Sequence, residues 1–210
     1  MRYYPIFLNL TNELSVVVGG GTIAEGKVTA LLEADAKVQV ISPEVTPTLQ
    51  ELAENGTITW EQRAYLDGDL TGAAIAISAT DDPEVNHRVW DEAKRRGILI
   101  NVVDDVPYCN FIAPAIVRRG DITLAISTNG KMPALAAHMR REMDKSFGDE
   151  YLRLLDLTAP LRVELNAKHL PYTTRQQLWR KLFEETELIP LLRQGEDAAA
   201  EKLAREVLGL

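Results

Sequence analysis

Leu14-Ser15-Val16-Val17-Val18 runs into Gly19-Gly20-Gly21, and the glycines run into Thr22-Ile23-Ala24-Glu25-Gly26-Lys27. A short β-branched run that breaks into glycines and then into a helical pattern constrains the fold more than any other feature. It is the strand–turn–helix opening of a βαβ unit, with the glycine spacing G-x-G-x-x-A. Gly19 allows the tight turn, and Gly21 lets the backbone approach a pyrophosphate. Ala24 is small enough for the helix to pack close to the strand. The phosphates of a dinucleotide would sit at the helix N-terminus, where N–H groups without helical partners and the helix dipole favour negative charge.

The first half of the chain keeps this alternation. The pattern predicts a helix over about 24–33 with Val28, Leu31 and Leu32 as its apolar stripe, then a strand over 37–41. Pro43 and Pro47 precede a short helix over about 49–53, and Asn55-Gly56 turns into a strand over 57–61. The small apolar run 73–79 suits a strand buried on both faces. Asp81/Asp82-Pro83 starts a helix that ends at Gly97, with Asp81 expected as its N-cap, and 98–103 is the next strand. Strands alternating with helices at this spacing predict a parallel sheet.

After Phe111 the rhythm changes. Two runs of β propensity flank Arg119-Gly120-Asp121, Pro133 opens a helix to about Phe147, and from Gly148 the pattern is helical, with breaks expected at Pro160, Pro171 and Pro190. The expected fold class is α/β. A Rossmann-type parallel sheet would occupy 1–113, a small α+β segment 114–147, and a helical region 148–210.

Charge is distributed unevenly. Residues 1–113 hold 8 Lys/Arg against 17 Asp/Glu, whereas 114–147 hold 6 against 3, within a chain of net charge −8. The total argues against non-specific nucleic-acid binding. The basic segment suits either an anionic ligand or an ordinary solvated helix face. A single cysteine, Cys109, excludes an internal disulfide framework and fits a reducing compartment. Met1–Leu10 is too short an apolar run for a signal peptide, and no stretch reaches the length of a membrane span. The expectation is a cytoplasmic protein with no membrane partner.

Ligands of parallel sheets bind beyond the C-terminal strand ends. After the second strand stand Ser42, Pro43 and Glu44, with no basic residue near them, which leans toward NAD over NADP. Thr80 follows the fourth strand and Asn101 lies in the fifth; both are cofactor-side candidates. Asp104, after the fifth strand, is placed where a substrate would meet a nicotinamide. It is either a general base or a turn-forming loop carboxylate. Ser127-Thr128-Asn129-Gly130-Lys131, running into the helix at Pro133, either holds carboxylates or is a plain connection. Arg118 borders the basic turn, and His138 is the one histidine retained as a site residue. His87, His138, His169 and Cys109 form no metal-ligand spacing, so no metal site is expected.

Several separated motifs agree with one family. Tyr4-Pro5-Ile6-Phe7-Leu8, Val17-Val18-Gly19-Gly20-Gly21 with Ala24 and Lys27, Ala79-Thr80-Asp81-Asp82, Val85-Asn86, Asn101-Val102-Val103-Asp104, Phe111-Ile112-Ala113-Pro114 and Ile126-Ser127-Thr128-Asn129-Gly130 with Pro133 occur in order over about residues 1–145. With these the chain resembles the siroheme synthase N-terminal domain family of precorrin-2 dehydrogenases, some of them also sirohydrochlorin ferrochelatases. The resemblance implies oxidation of precorrin-2 to sirohydrochlorin with NAD, a homodimer interlocked through 114–147, and Asp104 as catalytic aspartate. It carries NAD contacts to Thr22, Ile23, Pro43 and Glu44. Ser127, Thr128, Lys131, Arg118 and His138 would then face the substrate carboxylates. Members often have a basic residue before Lys27, where this chain has Glu25-Gly26, and Ser where Thr128 stands.

Insertion of Fe²⁺ or Co²⁺ as a metal substrate is implied for some members only. The fused siroheme synthases have a large C-terminal methyltransferase that these 210 residues do not include, so precorrin-2 is expected from another protein. Two non-catalytic readings stay open, a NAD-sensing module and a tetrapyrrole carrier.

Overall fold

The structure, a computed structural model, describes residues 3–210. Met1 and Arg2, part of the stretch judged too short for a signal peptide, lie outside the described residues. The chain divides into two compact units, Met1–Ala113 and Pro114–Leu210.

The first unit is a five-stranded, all-parallel sheet. β1 (Leu14–Val18), β2 (Lys37–Ile41), β3 (Thr59–Glu61), β4 (Ile75–Ser78) and β5 (Leu99–Val102) stand in the order β3-β2-β1-β4-β5. The helices are α1 (Thr22–Leu32), α2 (Pro47–Glu54) and α3 (Pro83–Arg96). Alternation along each strand sends side chains to two cores. Val16, Val18, Ile41 and Ile100 meet Val89 and Ala93 of α3 on one face. On the other, Val17, Val38, Val40 and Ile77 meet Ala24, Val28 and Leu31 of α1 and Leu49 of α2. Full burial of such side chains contributes roughly 1.5–3 kcal/mol each, which fixes the strand register.

Three details differ from the sequence expectation. α1 begins at Thr22 rather than near Ala24, because Gly21 itself serves as N-cap. α2 begins at Pro47, capped by the Thr46 hydroxyl, which accepts from the Leu49 N–H at 3.3 Å. The cap of α3 is Asp82, not Asp81: its carboxylate accepts from the N–H groups of Glu84 at 2.9 Å and Val85 at 3.3 Å. Proline at the first helical position puts the cap one residue before it, which selects Asp82.

A buried network anchors α3 to the loop before β4. Glu92, 1% exposed, accepts from the Tyr65 hydroxyl, from the Gly68 N–H at 2.9 Å and from Arg96 Nε at 2.7 Å.

The second unit opens with an antiparallel hairpin, β6 (Ala115–Arg119) and β7 (Ile122–Ile126), closed by Gly120-Asp121 with Arg119 opposite Ile122. α4 (Pro133–Ser146), α5 (Asp149–Ala167), α6 (Tyr172–Phe183), α7 (Leu188–Gln194) and α8 (Asp197–Leu208) follow. Leu161, Leu165, Leu182, Leu188, Leu192, Ala200, Ala204 and Leu208 form the core of α5 to α8. Pro160 does not break the helix; it sits inside α5 on the exposed side. Loss of one backbone hydrogen bond is outweighed by the buried Leu161 and Leu165 beyond it. Pro190 likewise lies within the first turn of α7, where its missing N–H has no helical acceptor to lose. No helix among the described residues is long and apolar enough to cross a membrane.

Candidate functional site

The sheet order reverses between β1 and β4, and the cleft at their carboxyl ends is where an open α/β sheet receives a ligand. It has a volume of about 480 Å³ and is lined by Gly19, Gly20, Gly21, Thr22, Ile23, Ser42, Glu44, Val45, Thr46, Ala79, Thr80 and Asp81. Seven of the sequence candidates, Gly19, Gly21, Thr22, Ile23, Ser42, Glu44 and Thr80, meet there.

Backbone geometry explains the glycines. Gly19 has φ +116°, and a Cβ on it would fall 2.2 Å from the Ala79 carbonyl oxygen. Its N–H donates to the Ile41 carbonyl at 2.9 Å, and the Gly20 carbonyl accepts from the Thr46 N–H at 3.0 Å. The loop is thereby held to the end of β2 and to the cap of α2. At Gly21 nothing lies within 4 Å of where a Cβ would stand, so the space beside it is open to the cleft. No side chain caps α1, and its first turn presents free N–H groups there. An unobstructed glycine beside an uncapped helix N-terminus fits a pyrophosphate. Ala24, fully buried, lets α1 sit close to the sheet.

The cleft contains no Lys or Arg. The Ser42 hydroxyl donates to the Glu44 carbonyl at 2.6 Å, which turns the chain after β2, and the Glu44 side chain is exposed. The Thr46 hydroxyl donates to Glu25 Oε2 at 2.6 Å. Glu25, one of the two residues before Lys27, is therefore engaged with the cap of α2. Pro43 is exposed and outside the cleft lining. Gly20, Val45, Thr46, Ala79 and Asp81 also line the cleft, although none of them is a cofactor candidate from the sequence. A third consecutive glycine, and Thr46-Pro47 as a cap signal, were the available clues.

The wall formed by β4 is braced. The Ser78 hydroxyl donates to Asn86 Oδ1 at 2.6 Å, and Asn86 Nδ2 donates to the Thr80 carbonyl at 3.0 Å. Next to β4, Asn101 turns away into structure: its Nδ2 donates to Cys109 Sγ at 3.4 Å and to the Phe111 carbonyl at 3.2 Å. Cys109 is buried, donates to the Val102 carbonyl at 3.1 Å, and has its thiol pKa pushed up by burial. It is a packing residue. Asp104 stands just past β5 with φ +59°, exposed, and among the described residues its carboxylate has no ion-pair partner.

In the second unit, the Ser127 hydroxyl accepts from the Asn129 N–H at 3.0 Å and that of Thr128 from the Met132 N–H at 3.2 Å. Both hydroxyls shape the loop before α4. Lys131 is exposed in that loop, Arg118 is exposed on β6, and His138 is exposed on α4. His87 stacks on Tyr108 with ring centroids 4.3 Å apart.

The family model for putative NAD(P)-binding proteins matches residues 6–115, and the model for the central part of sirohaem biosynthesis proteins matches 119–146. Siroheme synthase 1 of Aeromonas salmonicida is 37% identical over 204 residues, covering 97% of this chain and 44% of that protein. The siroheme synthase of Chromobacterium violaceum is 36% identical over 200 residues, 95% of this chain and 42% of its own. The chain thus spans less than half the length of these curated relatives. Among solved structures, SirC, described as a precorrin-2 dehydrogenase, shares the fold with a TM-score of 0.77 at 24% identity, over 95% of this chain and 99% of its own. This chain is similar to siroheme synthases along almost all of its own length, and with its glycine loop, parallel sheet order and matched span of 6–115 it belongs to the putative NAD(P)-binding family.

Proposed function

We propose that this chain oxidises precorrin-2 to sirohydrochlorin with NAD as acceptor. The observation that carries the reading is the shared carboxyl edge of the sheet. The glycine cleft lies at the ends of β1 and β4, and the unpaired Asp104 follows the adjacent strand β5. The oxidation removes two hydrogens from the macrocycle, one as hydride and one as a proton. Bound NAD supplies the hydride acceptor. Asp104 accepts the proton, since an exposed carboxylate without a cationic partner is free to take it.

Gly19, Gly21, Thr22, Ile23 and Ala24 seat the pyrophosphate, and Ser42, Pro43, Glu44 and Thr80 border the ribose and nicotinamide side. Asn101 holds the segment beyond β5 in place through Cys109 and the Phe111 carbonyl, and it stays a cofactor-side residue in this reading. NAD is favoured over NADP because a 2′-phosphate would meet Glu44 and no cation in the cleft. The acidic rim of precorrin-2 calls for cations and hydroxyls, and Arg118, Lys131, His138, Ser127 and Thr128 of the basic segment supply them.

A homodimer is part of the reading. Ile116, Met132, Leu135 and Met139, 38–56% exposed, leave apolar surface on the hairpin and α4 that a second copy would cover. The lone buried cysteine suits the cytoplasm as compartment. Sedimentation of wild type against Leu135→Glu tests the dimer.

The experiment that tests the reaction is an absorbance assay of precorrin-2 and NAD with the wild type and Asp104→Ala. NADH and sirohydrochlorin formed by the wild type and lost in the variant is the expected result. NAD binding without turnover by the wild type would leave the sensor or carrier. Adding Fe²⁺ or Co²⁺ to sirohydrochlorin asks whether Asp104 also takes the two pyrrole protons as a metal substrate enters.

A further inference from the structure

The arginines of the C-terminal helices divide into two groups. Arg153 pairs with Asp197 at 3.0 Å, Arg180 with Glu184 at 2.8 Å, Arg193 with Glu150 at 2.5 Å, and Arg205 with Glu164 and Glu201, both at 2.9 Å. Arg162 of α5 and Arg175 of α6 have no carboxylate partner among the described residues, and both line one cavity of about 370 Å³. Its remaining walls are Asn166, Tyr172, Gln176 and Trp179. Arg162 and Asn166 are four apart on α5, and Tyr172, Arg175, Gln176 and Trp179 follow the i, i+3, i+4, i+7 spacing of one face of α6. The cavity therefore has two cations, two amides, two aromatic rings and no acid.

Arg175 is the most informative of these. One of its Nη atoms donates to Asn166 Oδ1, which fixes the guanidinium, yet its Nε is buried without a hydrogen-bond partner. A buried, unsatisfied guanidinium N–H is costly and calls for an acceptor. Tyr172 is 70% exposed. Trp179 stacks on Phe183 with centroids 5.8 Å apart, so its ring is oriented. Pro171 precedes α6 and offers no side-chain cap, which leaves the positive end of the helix beside Tyr172.

We propose that this cavity is a second ligand site, for a small anion that bears a flat aromatic ring. The guanidiniums of Arg162 and Arg175 take the anionic group through charge-assisted hydrogen bonds, and Tyr172 and Trp179 take the ring face. Such chemistry is shared by a heteroaromatic ring with two carboxylates and by a nucleoside monophosphate. The site lies wholly in the second unit and does not depend on the dehydrogenase reading.

The test follows the indole N–H signals of the ¹⁵N-labelled protein. The chain has three tryptophans, and the Trp179 signal is the one lost in Trp179→Phe. Porphobilinogen, a pyrrole with two carboxylates, and AMP are titrated separately, which distinguishes the two sources. A saturable shift of the Trp179 signal with either probe, weakened about tenfold or more in both Arg162→Ala and Arg175→Gln with the other two indole signals unchanged, is the expected result. A Trp179 signal unmoved by about 10 mM of both probes, or moved equally in a variant that combines Arg162→Ala with Arg175→Gln, overturns the site. Turnover is not read, so failure here and failure of the dehydrogenase assay are separate outcomes.

Discussion

Gly20 lies so close to Glu44 that a Cβ built on it would fall 2.0 Å from the Glu44 carbonyl oxygen and 2.9 Å from Ser42 Oγ. The middle glycine, which the G-x-G spacing leaves unspecified, thus sets how closely the turn after β2 approaches the loop after β1. Gly20→Ala must push that turn outward. It is expected to weaken NAD binding tenfold or more and to cost about 1–3 kcal/mol of stability. Calorimetric titration with NAD and a thermal melt check the two effects separately.

The preference for NAD proposed above rests on the absence of Lys and Arg from the cleft lining. Introducing a cation at Glu44→Arg provides a partner for a 2′-phosphate and removes an acid that would repel it. The ratio of NAD to NADP dissociation constants is expected to shift toward NADP by about tenfold or more. An unchanged ratio would mean that Glu44 does not border the ribose.

Acid stability is expected to depend on Glu92. Burial pushes its carboxyl up, but the hydrogen bonds from Tyr65, Gly68 and Arg96 outweigh burial and hold it below the usual glutamate value. A depressed folded pKa adds stability that is present above the unfolded value of about 4.3 and is lost as pH falls through the folded one. Glu92→Gln is expected to be less stable by about 2–3 kcal/mol at neutral pH. The gap from wild type should close as pH drops below about 4. Urea unfolding across that range measures it.

Pro160 costs the interior of α5 one hydrogen bond while its own ring is exposed. Pro160→Ala is therefore expected to stabilise the second unit by about 1–3 kcal/mol, seen as a raised melting temperature. A lower melting temperature would mean that the proline shapes the bend of α5 in a way the bundle needs.

The parts of this fold legible in the sequence were those set by local chemistry. β1, the glycine turn, Ala24 and the buried stripe of Val28 and Leu31 follow from residue type and period, as do Pro83 opening α3 and Gly97 closing it. Leu32 was expected in that stripe and is only partly buried, since one more residue turns it past the face that meets the sheet. Where two acids stood together, residue type could not choose between Asp81 and Asp82; the position of Pro83 does. Propensity, which is local, predicts a break at Pro160, whereas the burial of Leu161 and Leu165 that keeps α5 continuous is not local. Gly20 against Glu44, and Thr46 with Glu25, are contacts between segments about twenty residues apart, and nothing in either segment alone announces them.

The backbone at Asp104 narrows its chemistry. Five non-glycine residues among those described have positive φ, namely Asn12, Asp35, Asp104, Asn129 and His169, all of the types that tolerate the left-handed region. Glycine or asparagine would keep the turn after β5 without a charge, and glutamate would keep the charge while straining the turn. Aspartate alone meets both demands. If Asp104 is the proton acceptor proposed above, the vocabulary open to substitution there is one residue wide, set by conformation and acidity together.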